Sequence, residues 1–159
     1  MWSNNTPANT SAPDGVDVRG PRFAAWVTAA VLETVLIVSA FTPRAAAIVL
    51  GVQAVVFAVG AVAGPRRHPY GRLFATVVAP RLGPVREREP EAPLKFAQLV
   101  GLVFAACGVA GFAAGSLVTG VVATTAALVA SFLNAAFGLC LGCQLYPFVA
   151  RLRRTPNPA

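Results

Sequence analysis

The sequence predicts an all-α polytopic membrane protein whose four transmembrane helices form two tandem related hairpins. Three observations carry that expectation. Apolar residues make up 56% of the chain and charged residues 12%, against roughly 45–50% and about 25% in soluble globular domains. The charges are also segregated: Phe23 to Gly64 holds only Glu33 and Arg44, and Phe96 to Ala150 holds none. Finally, a helix needs ~20 apolar residues to cross ~30 Å of hydrocarbon, and four stretches reach that length.

Residues 1–20, with Asn, Thr, Ser, Pro and Gly prominent, predict a disordered polar tail. This long polar segment precedes an apolar run of full spanning length, so an uncleaved first helix is expected in place of a signal peptide. Helix one is expected over about 23–41 and helix two over 45–64, separated by Thr42-Pro43-Arg44. Gly64-Pro65 opens a loop over 65–93. Within it, 71–82 places Leu73, Phe74, Val77 and Val78 between Arg72 and Arg81, the pattern of a short helix lying in the interface. Arg86 to Glu91 alternates in sign, as a solvated stretch does. Helix three is expected over 94–114 and helix four over 117–150, with Gly115-Ser116 between them. Residues 151–159 form a basic tail. The membrane domain therefore spans 21–150.

Basic residues orient such a bundle, because they are retained on the cytoplasmic side. With the N-terminus cytoplasmic, that side carries twelve Lys and Arg, and the outside carries Arg44 alone. The expectation is a multi-pass protein of the plasma (inner) membrane with both termini and the long loop cytoplasmic. Arg19, Arg22, Lys95 and Arg151 stand where side chains anchor helices at headgroups. The net charge of +7 has this topological origin; no basic face interleaved with aromatics accompanies it, so nucleic acid is not an expected partner. The lipid bilayer is.

An internal repeat is visible. Arg22-Phe23-Ala24 opens helix one, and Lys95-Phe96-Ala97 opens helix three 73 residues later. Gly60, Gly64 and Tyr70 near the end of helix two match Gly138, Gly142 and Tyr146 at offsets of 76 to 78, which implies a small insertion. Two spans per repeat make the copies parallel, related by an axis along the membrane normal.

Cys140 and Cys143 form a Cys-x-x-Cys pair. Residues three apart on a helix share a face, so the thiols are neighbours and could close a disulfide with modest adjustment. On the cytoplasmic side a permanent structural disulfide is disfavoured, and reversible thiol chemistry fits better. Against it, the pair falls toward the C-terminus of the expected helix 117–150, whereas reactive pairs sit at helix N-termini where the dipole favours thiolate. Burial in an apolar leaflet disfavours thiolate as well. Pro147 cannot donate to the Cys143 carbonyl, so a kink is expected there. The plainer alternative makes both cysteines small apolar packing residues.

Glu33 is the one acid inside a span, and it falls near the midplane. Gln53, Cys107 and Asn134 fall at similar depth. Such groups face a bundle interior or a pathway, so Glu33 is expected either to handle protons or substrate, or to be protonated and hydrogen-bonded to Gln53 or Asn134. Asn134, Gly138 and Gly142 recur every four residues, and Gly138 and Gly142 on one face would allow close helix packing. No metal site is expected, since His68 is the one further ligand near the two cysteines, and no cofactor motif is present.

The stretch Leu133-Asn134-Ala135 with Gly138-Leu139-Cys140-Leu141-Gly142-Cys143-Gln144-Leu145-Tyr146 resembles a bacterial integral membrane family, domain-of-unknown-function family 4395. The opening Val16-Asp17-Val18-Arg19-Gly20-Pro21-Arg22-Phe23 and the segment Lys95-Phe96-Ala97-Gln98 are similar to that family too. The resemblance covers about residues 14–154; it implies a four-helix membrane domain and brings no established activity. More loosely, each half resembles the two-helix membrane domain of rhodanese-type sulfurtransferases, which ends in Gly-x-Cys-Pro-x-Tyr. Gly138-Leu139-Cys140 and Tyr146 match it, but no Pro follows Cys140 and Tyr146 lies further on. The functional expectation is a membrane dithiol at Cys140 and Cys143, exchanging electrons or sulfane sulfur with a cytoplasmic thioredoxin-like or rhodanese-like (sulfurtransferase) protein. A quinone in the bilayer is a conceivable partner without direct support in the sequence. The alternative is a small transporter or assembly subunit centred on Glu33.

Overall fold

The computed structural model describes residues 15–153. The disordered tail expected over 1–20 lies mostly outside the described residues, as does most of the basic tail. Six α-helices and one pair of two-residue strands make up the rest: β1 (Val16–Asp17), α1 (Arg19–Ser39), α2 (Pro43–Ala63), α3 (Pro69–Leu73), β2 (Arg88–Glu89), α4 (Glu91–Ala113), α5 (Leu117–Phe137) and α6 (Leu141–Arg153). Four of them, α1, α2, α4 and α5, are long and apolar enough to cross a membrane. The chain is an all-α polytopic membrane protein.

Local chemistry sets the boundaries. The helix α1 begins at Arg19, earlier than its apolar run, because the Arg19 amide donates to Asp17 Oδ1 at 3.1 Å. Residues 16–20, placed by the sequence in the polar tail, thus belong to β1 and the start of α1. Pro43 occupies the first turn of α2, where a missing N–H costs nothing. The span α5 starts after Ser116, whose hydroxyl lies 2.9 Å from that of Thr119.

The loop between α2 and α4 is helical from Pro69 to Arg81: α3 continues into a π-helical turn at Phe74–Val78 and a tight 3-10 turn at Ala79–Arg81. Beyond it, β2 pairs antiparallel with β1, setting Val16 opposite Glu89 and Asp17 opposite Arg88. The sign-alternating stretch is thus partly a clip on the N-terminal segment. The Arg19 guanidinium is held inside this clip, donating to both Asp17 oxygens and to the Gly83 carbonyl at 2.8–3.1 Å.

The core is small and apolar: Leu32, Val35, Ala46, Leu50, Phe57, Ala105, Phe112 and Ala127. Close approach depends on glycine. A Cβ on Gly111 would meet the Gly120 amide nitrogen, and one on Gly108 would meet Leu50, so α4 lies tight against α5 and α2. Large apolar side chains such as Ile48, Val52, Val55, Val118 and Val122 face outward, as a bilayer requires and water does not.

The two halves repeat. The spans α2 and α5 are each 21 residues long, start 74 positions apart (43 and 117) and end 74 apart (63 and 137). Each is followed by a glycine with positive φ, Gly64 at 82° and Gly138 at 69°. Phe23 of α1 packs on Phe74 at 5.8 Å, and Phe96 of α4 packs on Tyr146 at 6.0 Å, so each first span pins the short helix of its own half. The helix α1 packs mainly on α5, and α2 on α4, the arrangement that a two-fold along the membrane normal produces. Gly64 therefore corresponds to Gly138, and Phe74 to Tyr146. The equivalence of Gly60, Gly64 and Tyr70 with Gly138, Gly142 and Tyr146 gives way to these pairs; the offset is 74 at the glycines and 72 at Phe74 and Tyr146, so the repeats still differ in length between them.

Candidate functional site

The expected fourth helix, 117–150, is two helices. A continuous helix of that extent would be about 50 Å long, well beyond ~30 Å of hydrocarbon. Gly138 ends α5 in the left-handed conformation. Its amide donates to the Asn134 carbonyl at 3.0 Å, the single bond of a left-handed C-cap, and the Leu139 amide donates to the Leu133 carbonyl at 3.2 Å. The Arg22 guanidinium lies against Gly138, in the space where a side chain would begin. Gly138 is thus a cap and no part of a packing face with Asn134 and Gly142.

Three residues later the chain is helical again, and the cysteines mark the restart. The Cys140 carbonyl accepts from the Gln144 amide at 3.0 Å, and its sulfur accepts from the Cys143 amide at 3.3 Å. Cys140 is therefore the N-cap of α6, with Cys143 in the first turn. The two sulfurs are bonded, with Cα atoms 5.2 Å apart. The expectation that the pair lies toward a helix C-terminus is overturned, and the cause is Gly138. At the N-terminus of α6 the free amides and the helix dipole favour negative charge on sulfur. The helix α6 runs as helix through Pro147; the break in this region falls at Gly138.

Packing fixes α6 on α4. Gly142 is buried, and a Cβ there would run into the Ala97 backbone. Outer faces of α6, with Leu145, Phe148 and Leu152, are exposed. Arg151 is exposed, Lys95 is half-buried with its stem against Gly64, and Arg22 is exposed apart from its contact at Gly138.

The four polar residues expected near the midplane do not assemble. Glu33 is exposed on α1, and no described residue pairs with it. Cys107 is exposed on α4. Gln53 is 1% exposed and its Oε1 accepts from the Tyr70 hydroxyl at 2.8 Å, so its partner comes from α3 and is neither Glu33 nor Asn134. Asn134 is half-buried and lines the same cavity as Cys140.

Sequence reasoning marked His68 only as a possible metal ligand and did not expect its burial. It precedes α3 as Cys140 precedes α6, so the two hold corresponding places in the two halves. His68 is 3% exposed, its ring is edge-on to Tyr70 at 5.3 Å, and neither ring nitrogen has a hydrogen-bond partner. Burial holds its pKa below the ordinary 6.5, with the adjacent Gln98 amide pulling the other way. The Tyr70 hydroxyl is pushed up by burial. Gln98 Oε1 and Gln53 Nε2 are likewise buried and unpaired. The available signal was His-Pro four residues after Gly64, at the start of a helix.

Two cavities flank Gln98. One, of about 330 Å³, is lined by His68, Phe74, Asp17 and Arg66; the other, of about 510 Å³, reaches Cys140 and Asn134. Pro21, Ala24, Leu94 and Gln98 belong to both walls. In the wall of the first, the hydrogen bond from Arg19 holds the Asp17 carboxyl below the usual carboxylate range. No group of three or more His, Cys, Asp or Glu side chains converges among the described residues.

Fold and site together define a four-span helical membrane protein with a Cys-x-x-Cys pair at the start of a peripheral helix. The family described as Domain of unknown function (DUF4395) matches residues 16–151, and the chain belongs to it. No curated protein and no solved structure matches the chain.

Proposed function

We propose that the chain is a plasma-membrane dithiol–disulfide carrier with both termini and the 65–93 loop cytoplasmic. Cys140 and Cys143 exchange electrons, or sulfane sulfur, with a cytoplasmic thioredoxin-like or rhodanese-like protein. The observation that carries this is the Cys143 amide directed at Cys140 Sγ, 3.3 Å away, at the start of α6. A backbone donor and a helix N-terminus are the features that favour a thiolate. In exchange, that thiolate attacks the partner's disulfide, the mixed disulfide forms, and the second thiol displaces the partner in reduced form.

The experiment is capture in cells. Replacing the resolving cysteine with Ser leaves the attacking one unable to complete the exchange. A membrane-protein band enlarged by one partner, and removed by reductant, is expected from one single variant and absent from the double variant. No adduct from either single variant under thiol or sulfur stress would leave the cysteines as packing residues.

A further inference from the structure

We propose that the cavity beside Cys140 is the binding site of a lipid-soluble quinone, the membrane-side electron acceptor for the Cys140–Cys143 dithiol. This rests on the dithiol reading above and adds its second substrate. The cavity holds about 510 Å³, within the range of small-molecule sites. It follows α4 from Leu94 to Phe104, ten residues or ~15 Å of helix, and so runs along the spans toward the hydrocarbon. Its walls are apolar, and its polar side chains are all neutral: Thr28, Gln98, Ser131 and Asn134, with Cys140 among them. Such walls admit an uncharged ring compound and exclude a charged one, because nothing in them would offset the cost of taking a charge out of water. Hydroxyl and amide donors among these side chains suit ring carbonyls.

The chemistry fixes the class further. Closing the disulfide breaks two S–H bonds, forms one S–S bond and releases two electrons and two protons. A quinone takes up both pairs, its two carbonyls becoming hydroxyls, so dithiol plus quinone gives disulfide plus quinol in balance. A reduced thioredoxin-like protein then restores the dithiol from the aqueous side, by the exchange written above run in reverse: its thiolate opens the Cys140–Cys143 disulfide, and its second thiol closes on the mixed species to release the dithiol. Cys140 is half-buried where the cavity meets the start of α6, so it can be reached from both directions.

The test uses purified full-length protein in detergent, with Cys107→Ala removing the third thiol. The pair is reduced, freed of reductant and mixed without oxygen with ubiquinone-1 or duroquinone, whose substituted rings resist permanent thiol addition. The readout is the loss of two maleimide-reactive thiols together with quinol absorbance. We expect one quinol per disulfide and a rate that saturates with quinone. Asn134→Leu and Gln98→Leu are each expected to raise the half-saturating concentration about tenfold, as loss of one hydrogen bond does, while oxidation by the small reagent diamide stays unchanged. A rate linear in quinone and indifferent to both substitutions would overturn the site. If reduced thioredoxin still opens the disulfide in that case, the dithiol reading stands and the quinone is wrong; if neither reacts, both fall.

Discussion

The Cys143 amide donates to the sulfur of Cys140 at 3.3 Å, across the first turn of α6. One sulfur therefore sits in the N-cap position, and the other lies one turn inside the helix. The pair is chemically asymmetric.

That asymmetry predicts an order of reactivity. After reduction, Cys140 is expected to be alkylated by iodoacetamide several-fold faster than Cys143, because amide donors and the dipole act on the capping thiolate. Mass spectrometry of the peptide around residues 140–143 at short times gives the ratio. Equal rates, or a faster Cys143, would contradict the capping geometry as the source of reactivity.

Gly138 creates this site, so it is the position to strain. Its φ of 69° is left-handed, and an Ala there costs ~1–2 kcal/mol, with Arg22 to be displaced as well. Gly138→Ala is expected to lower the thermal midpoint in detergent clearly more than Gly138→Asn, since Asn tolerates this conformation. Equal midpoints would mean that the turn between α5 and α6 is not the one described.

His68 predicts a pH dependence. Its folded pKa lies below the unfolded value of 6.5 because the ring is buried. As pH falls through 6.5, the unfolded chain takes up a proton that the folded one refuses. Stability is therefore full above that pH and declines below it. His68 is the chain's one histidine, so His68→Gln should flatten thermal midpoints measured between about pH 7 and pH 5. An unchanged slope in the variant would place the titrating group elsewhere.

Orientation is independently testable. A reporter fused after Ala159 is expected to read cytoplasmic and one inserted at Ser116 external, following the twelve-to-one split of basic residues. A C-terminal reporter active only outside the cell would reverse the bundle and put the cysteines in an oxidising compartment.

Hydropathy made the four spans legible, because a span is long and its solvent leaves no other choice. What it could not locate was the end of the fourth. Leu139, Cys140 and Leu141 are as compatible with lipid as the residues before them, so composition runs through the break. The signals were geometric: a stretch too long for a bilayer, and a glycine at the position where Gly64 ends the corresponding helix. The pairing of Gln53 with Tyr70 was hidden for a different reason. It joins a span to the loop that follows it, and depth along the membrane, the one coordinate a hydropathy profile supplies, grouped Gln53 with Glu33. Cys140 and Cys143 were visible as a pair, but their place on a helix depended on Gly138 and was misjudged with it.

The most direct measurement is the thiol state of the protein in living cells. Acid quenching followed by a mass-adding maleimide separates molecules by their number of free thiols. In a Cys107→Ala background the account predicts two populations, with both cysteines labelled or neither, whose ratio shifts together when cells meet an oxidant or are resupplied with reductant. The Cys140→Ser and Cys143→Ser proteins should each show a single labelled thiol, apart from the adduct with a partner. A wild-type protein that keeps both thiols free under every condition would contradict the account at its centre.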